Sequence, residues 1–166
     1  MFTRSSASGR VLRAALLGLS LLLLVGCAGA QMGLFSGTRP TELGTQGGRL
    51  APVRTHLQNA VSSFADTPYH RIEPIATGPN PQATFTRLAE AIRQTPGARI
   101  IEQRDGYLYA EFETRWMKFI DDAEFLLDAS ARVVHVRSAS RLGRKDFGVN
   151  RSRIESLRAT IANSTN

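Results

Sequence analysis

The chain has 166 residues, a formal net charge of +7 and a single cysteine. That length suits one domain, and 42% hydrophobic with 21% charged residues suits a globule. One cysteine excludes an internal disulfide and any cysteine-cluster metal site.

The N-terminus predicts a targeting segment over residues 1–26. Arg4, Arg10 and Arg13 give a positive start, and Ala14–Gly26 is an uncharged apolar run of 13 residues. Such a run is too short to cross a membrane, which takes about 20 residues, but it fits the apolar part of a secretory leader. It ends at Leu24-Val25-Gly26-Cys27, which resembles the bacterial lipobox. The resemblance implies that Cys27 receives a diacylglycerol thioether, that cleavage occurs before it, and that the new amine is acylated. Two or more chains then hold a protein stably at a bilayer, where one would not. Ala28 in place of Asp implies, by the Gram-negative sorting rule, the outer membrane with the protein facing the periplasm. Loss of the leader removes three arginines and no acid, so the mature charge falls to +4. The only thiol is consumed, which excludes thiol catalysis, and an envelope location excludes nucleic acid as a partner.

Residues 27–56 are rich in Gly, with Pro40 and Pro52, and predict a flexible tether. The folded domain is expected over 57–166. His70–Ala76 is a short strand candidate, kept to an edge by Pro74. Asn80-Pro81 starts a helix with an N-cap and a first-turn proline. Phe85, Leu88, Ala89 and Ile92 form its apolar stripe, and Thr95-Pro96-Gly97 stops it.

Strands follow. Ala98–Gln103 runs into Asp105-Gly106, a type I′ hairpin signal. Tyr107–Thr114 alternates, with Leu108, Ala110 and Phe112 on one side and Tyr107, Tyr109, Glu111 and Glu113 on the other. Met117–Leu127 alternates around Phe119, Ala123, Phe125 and Leu127. Asp128-Ala129-Ser130 turns the chain into a strand over Arg132–Ser140. Asn150 is expected to cap a last helix carrying Ile154, Leu157 and Ile161. The order β-α-β-β-β-β-α predicts an α+β fold, an antiparallel sheet of four to five strands with two helices packed on one face.

Three strings, DGYLYAEF, FIDDAEFLLD and VVHVRSASRLGRKDFGVNRSRIE, carry a resemblance to the family of domain of unknown function 1499. Within it, Val136-Arg137-Ser138-Ala139-Ser140-Arg141 with Gly148-Val149-Asn150-Arg151 is the most specific part. The family's Pro-Asn-Cys-Val-Ser-Ser reads Gln58-Asn59-Ala60-Val61-Ser62-Ser63 here, so any role of that cysteine is absent. The resemblance implies no activity.

The candidate polar cluster is Asp121, Asp122, His135, Arg137, Ser138, Ser140, Arg141, Asp146, Asn150 and Arg151. If the apolar sides all face the helices, Tyr109, Glu111, Glu113, Asp122, Glu124, His135 and Arg137 share the opposite, solvated face. Asp121 has the phase of the core and needs a buried partner. Ser138, Ser140, Arg141 and the Gly143–Gly148 loop are the candidates. Seven cations stand against Asp146 and Glu155 over Arg137–Arg158, and Arg141, Arg144, Lys145, Arg151 and Arg153 are expected to form one patch facing anionic lipid or an envelope protein. No catalytic motif occurs, and no metal or cofactor is expected. The candidate activities are a non-enzymatic binding domain, a lipid-binding module, or a hydrolase using Asp121 or Asp122 with His135.

Overall fold

The computed structural model describes residues 35–163; the leader and Cys27 lie outside them. Ten elements follow in chain order: β1 (Thr45–Gln46), β2 (Arg49–Leu50), β3 (Ala60–Ser62), β4 (Ile75–Ala76), α1 (Pro81–Gln94), β5 (Ala98–Arg104), β6 (Tyr107–Glu113), β7 (Ile120–Asp128), β8 (Val133–Ser140) and α2 (Val149–Asn163). The main sheet has the order β3-β8-β7-β6-β5, and β4 also pairs with β8. All its strand pairs are antiparallel. The fold is α+β with a six-stranded sheet. The sixth strand is β3, which the sequence reading did not predict, while β4 falls at the end of the expected His70–Ala76 strand. Each of β3 and β4 has only two or three residues, too few to show an alternation, and both lie along β8.

The expected helix start is present: Asn80 accepts the amide of Ala83, with Pro81 in the first turn. Phe85, Leu88, Ala89 and Ile92 of α1 meet Ile154, Leu157 and Ile161 of α2 over Leu108, Ala110, Phe112, Ala123, Phe125, Val134 and Val136. Both helices therefore cover the same sheet face. Most of these side chains are fully buried, so the layer between sheet and helices is filled. At Gly97, the turn after α1, φ is +79° and an added Cβ would overlap the Glu113 carbonyl oxygen. The Gly97 carbonyl in turn accepts the Glu113 amide at 2.8 Å.

Two local expectations change. The β5–β6 connection is a two-residue hairpin, but only Gly106 has positive φ, so the turn is not type I′, which requires it at both positions. A bulge at Ile101 lets Ile100 face the helices and Ile101 the other side. Asn150 does not cap α2 but sits in its first turn. Asp146 accepts the amides of Gly148 and Asn150 at 3.0 and 2.9 Å and does the capping.

The largest departure concerns the expected tether. Residues 35–56 lie on the sheet face that carries no helix. Leu50 is buried against Tyr107 and Tyr109, with Leu43, Phe64, Ile101 and Leu126 around it. Val53 packs with Ala60, Ala65 and Ala139. The glycines there serve turns, as at Gly47 and Gly48 between β1 and β2, both at positive φ. Glycine content cannot separate a free linker from a strap built of tight turns.

Candidate functional site

Antiparallel register decides which polar side chains meet. Glu111 of β6 stands opposite Asp122 of β7, Tyr109 opposite Glu124, and Glu124 opposite Arg137 of β8. These residues share the strap-facing side, as their alternation predicts. The side is not solvated, however. Asp122 and Glu124 have no exposure, Glu111 4% and Arg137 7%, because residues 35–56 cover them.

Buried carboxylates require partners, and each has them. Asp122 takes two guanidinium hydrogen bonds from Arg141, from Nε at 2.9 Å and Nη2 at 2.7 Å, and the Tyr109 hydroxyl at 2.5 Å. Arg141 also reaches Glu111. Glu111 further accepts from Arg39 Nε at 2.8 Å and from Arg99 at 2.8 Å. Glu124 accepts from Arg137 at 2.9 Å, the Tyr107 hydroxyl at 2.8 Å and the Gly44 amide at 2.7 Å. Two of these donors, Arg39 and Gly44, belong to the strap. The strap thus buries the charges and supplies part of their compensation.

Protonation follows from the same contacts. Burial pushes the Glu111 carboxyl up, but hydrogen bonds from Arg99, Arg141 and Arg39 outweigh it and bring its pKa down to about 2. Burial and the adjoining carboxylates hold the Tyr107 and Tyr109 hydroxyls well above the ordinary phenol range. At neutral pH Glu111 is a bound anion and the two tyrosines are donors. None is a free base or nucleophile.

The other face holds a second cluster, at the α2 end of the sheet. Asp121 points inward as predicted, and its partner is Arg153 of α2 at 2.5 Å. The expected partners Ser138, Ser140 and Arg141 do not take that role: Arg141 lies on the opposite face with Asp122. Arg153 also donates to Ser138 Oγ and Asn150 Oδ1, and its guanidinium lies 4.7 Å above the Phe112 ring. The fully buried Asn150 accepts from Ser138 at 2.6 Å and donates to the Asn59 carbonyl, Ser140 and Asp146. This side chain links β3, β8 and the loop before α2. Burial pushes the Asp146 carboxyl up, but the Asn150 and Gly148 amides hold it below its usual range.

The remaining candidates stand apart. His135 faces the strap side but pairs with Leu126, four residues along β8 from the partner of Asp122, a separation of roughly 13 Å. It stacks on Phe64 at 4.3 Å, and burial lowers its pKa. Asp121 points to the opposite face and Asp122 lies too far along the same one, so neither converges with His135. Arg151 donates to the carbonyls of Tyr69 and Arg71 and clamps that loop. The expected single basic patch breaks up accordingly. Arg141 and Arg153 are buried in ion pairs, Arg151 holds backbone, and Arg144 and Lys145 remain exposed.

Among the described residues no group of three His, Cys, Asp or Glu could hold a metal ion. A cavity of about 60 Å³ beside Arg137 and Asp122 is too small for an organic ligand. Surface hollows of about 300–400 Å³ lie elsewhere, at the ends of the helices and beside the 142–149 loop. No helix of the described residues is long and apolar enough to cross a membrane. Sequence reasoning missed Arg39, Arg99 and Arg153 as partners. The phase of Tyr107, Tyr109, Glu111 and Glu124 puts them on one face, but nothing in it distinguishes a covered face from a solvated one.

Comparison with curated proteins and with solved structures finds no match. The family described as "Protein of unknown function (DUF1499)" matches residues 52–161. That span runs from the end of the strap to the last buried residue of α2 and takes in both polar clusters except for Arg39 and Gly44 of the strap, so the chain belongs to the DUF1499 family.

Proposed function

We propose that the chain is a lipid-anchored protein of the bacterial cell envelope, and that its domain works by binding rather than by catalysis. The observation that carries the anchor is the leader ending on Leu24-Val25-Gly26-Cys27. Ala28 after the cysteine points to the outer membrane, facing the periplasm, in a Gram-negative cell. A binding role draws support from the state of the polar groups. Asp121, Asp122, Glu111 and Glu124 are each engaged by a guanidinium. A hydrolase acting through Asp121 or Asp122 with His135 lacks the convergence that general acid–base chemistry needs. A lipid module with its cavity between sheet and helices lacks the space, because that layer is filled.

Labelled palmitate in growing cells tests the anchor. The wild-type chain is expected to take up label and to accumulate as a larger precursor when the lipoprotein signal peptidase is inhibited. Cys27→Ala is expected to do neither. An unlabelled wild-type chain, or label retained by Cys27→Ala, overturns the reading.

A further inference from the structure

One end of the sheet carries an unusual surface. The register places the C-terminal ends of β6 and β8 beside the start of β7. The 114–119 loop and the 141–148 loop therefore emerge together and line a common hollow through Thr114, Phe119, Leu142 and Phe147. Each loop presents a bare aromatic: Trp116 is 80% exposed and Phe147 86%. Met117, Leu142 and Val149 are exposed around them. Phe147 holds φ at +54°, a conformation costly for a bulky residue. Cations accompany the aromatics: Arg115 lies 5.4 Å from the Trp116 ring and Lys145 5.6 Å from that of Phe147. Arg144 is exposed next to Lys145. The nearby carboxylates are taken up, Glu113 by Lys118 and Asp146 by the first turn of α2.

We infer that this end of the domain docks on an anionic lipid bilayer, with Trp116 and Phe147 entering the headgroup region and Arg115, Arg144 and Lys145 meeting lipid phosphates. Exposed aromatics and aliphatics ringed by cations match the chemistry of that region, apolar below and anionic above. The path of the chain selects a bilayer over a partner protein. Phe35 packs on Phe119 at 5.5 Å, and Gly37 lies against Arg141 and Leu142. The described chain thus begins at this same end. Cys27 precedes Phe35 by eight residues, which reach at most about 26–29 Å. This selection rests on the anchor proposed above. With an anchor at Cys27, the aromatic loops are held within a short reach of the lipid, and the opposite end, with the Asp105-Gly106 and Asp128–Arg132 turns, faces away.

Trp116 is the only tryptophan of the chain, so its fluorescence reads the docking directly. The acylated mature chain is reconstituted in vesicles of phosphatidylethanolamine and phosphatidylglycerol, with and without brominated lipid. Trp116 emission is expected to move to shorter wavelength and to be quenched by bromine. In Arg144→Glu/Lys145→Glu/Phe147→Ser both effects should be lost while the protein still floats with the vesicles. A chain that floats but whose tryptophan emits as in water, unquenched, overturns the inference and leaves the anchor standing. The leaderless chain, residues 27–166 with Cys27→Ser, added to preformed vesicles, separates the two claims. It should bind anionic vesicles at least about tenfold better than phosphatidylcholine vesicles, and the triple variant should lose that preference. No preference overturns docking whatever the state of Cys27.

Discussion

Glu111→Gln isolates what the buried charge network contributes, because glutamine keeps the shape of the side chain and copies its protonated form. In the native protein the pKa of Glu111 is brought down to about 2 from an ordinary 4.5. That difference corresponds to roughly 3 kcal/mol of stabilisation, at 1.36 kcal/mol per unit. The figure is an upper value, since Arg39 and Arg99 are 49% and 71% exposed and screened by solvent, whereas Arg141 is only 6% exposed. A folded pKa below the unfolded one stabilises above the unfolded value, and the contribution fades as pH falls from about 4.5 toward 2. Glu111→Gln should therefore unfold about 2–3 kcal/mol more easily than wild type at pH 7. The gap should narrow progressively below about pH 4.5, as the carboxyl of the unfolded chain takes up a proton that the folded chain binds only near pH 2. Urea denaturation followed by circular dichroism, from pH 7 to pH 2.5, measures both quantities. A gap that stays constant across that range would refute the electrostatic account, because a lost packing contact does not titrate.

Four further outcomes follow from the geometry. Asp121→Ala leaves the Arg153 guanidinium buried without its carboxylate and should cost about 3–5 kcal/mol; adding Arg153→Met should recover part of it, and an unchanged melting temperature in the single variant would sink the anchoring role. Gly97→Ala combines positive φ with overlap on the Glu113 carbonyl, whereas Gly47→Ala has positive φ and open space. Thermal melts should show the first clearly more destabilising than the second, which costs about 1 kcal/mol. Leu50→Ala should lose about 2–3 kcal/mol in urea unfolding, as a buried strap residue; a loss near zero would make the strap a free tether after all. Asn80→Ala should cost about 1 kcal/mol in the same assay through its cap on α1.

What could be read from the sequence was what repeats locally. The helical stripe of α1, the alternation of β6 through β8 and the inward phase of Asp121 depend on neighbours in the chain, and these expectations hold. Partners across space leave no such trace. Arg153 follows Asp121 by 32 residues and Arg39 precedes Glu111 by 72, and nothing in either stretch marks the pairing. The capping of α2 failed for a related reason. Asn150 has the side chain of a cap, but its amide is needed to join β3, β8 and Asp146, so Asp146 took the helix end. The short strands β3 and β4, of three and two residues, are set by the edge of β8 rather than by any pattern of their own.

The strap explains how one sheet face can be both charged and buried. A face bearing Glu111, Asp122, Glu124, Arg137 and Tyr109 would be stable in water without cover, since exposed cross-strand pairs need none. Covering it removes hydration, and the loss is offset only where new partners replace water. The strap supplies Arg39 and the Gly44 amide for that purpose, together with Leu43 and Leu50 against the tyrosine rings. Its adhesion is then both polar and apolar, which fixes its register more tightly than apolar contact alone. Because the strap begins beside Phe119 and Leu142, that fixed register also determines where residue 35 leaves the domain. The point at which the described chain leaves the domain is thereby set by contacts deep in the sheet. On the anchor and docking proposed above, weakening the strap at Arg39 or Leu50 should release residues 35–50 from the sheet and loosen Trp116 from the bilayer without any change in the loops themselves. Fluorescence of Trp116 in Leu50→Ala, reconstituted as above, checks this: emission identical to wild type would show that the loops dock without the strap holding them.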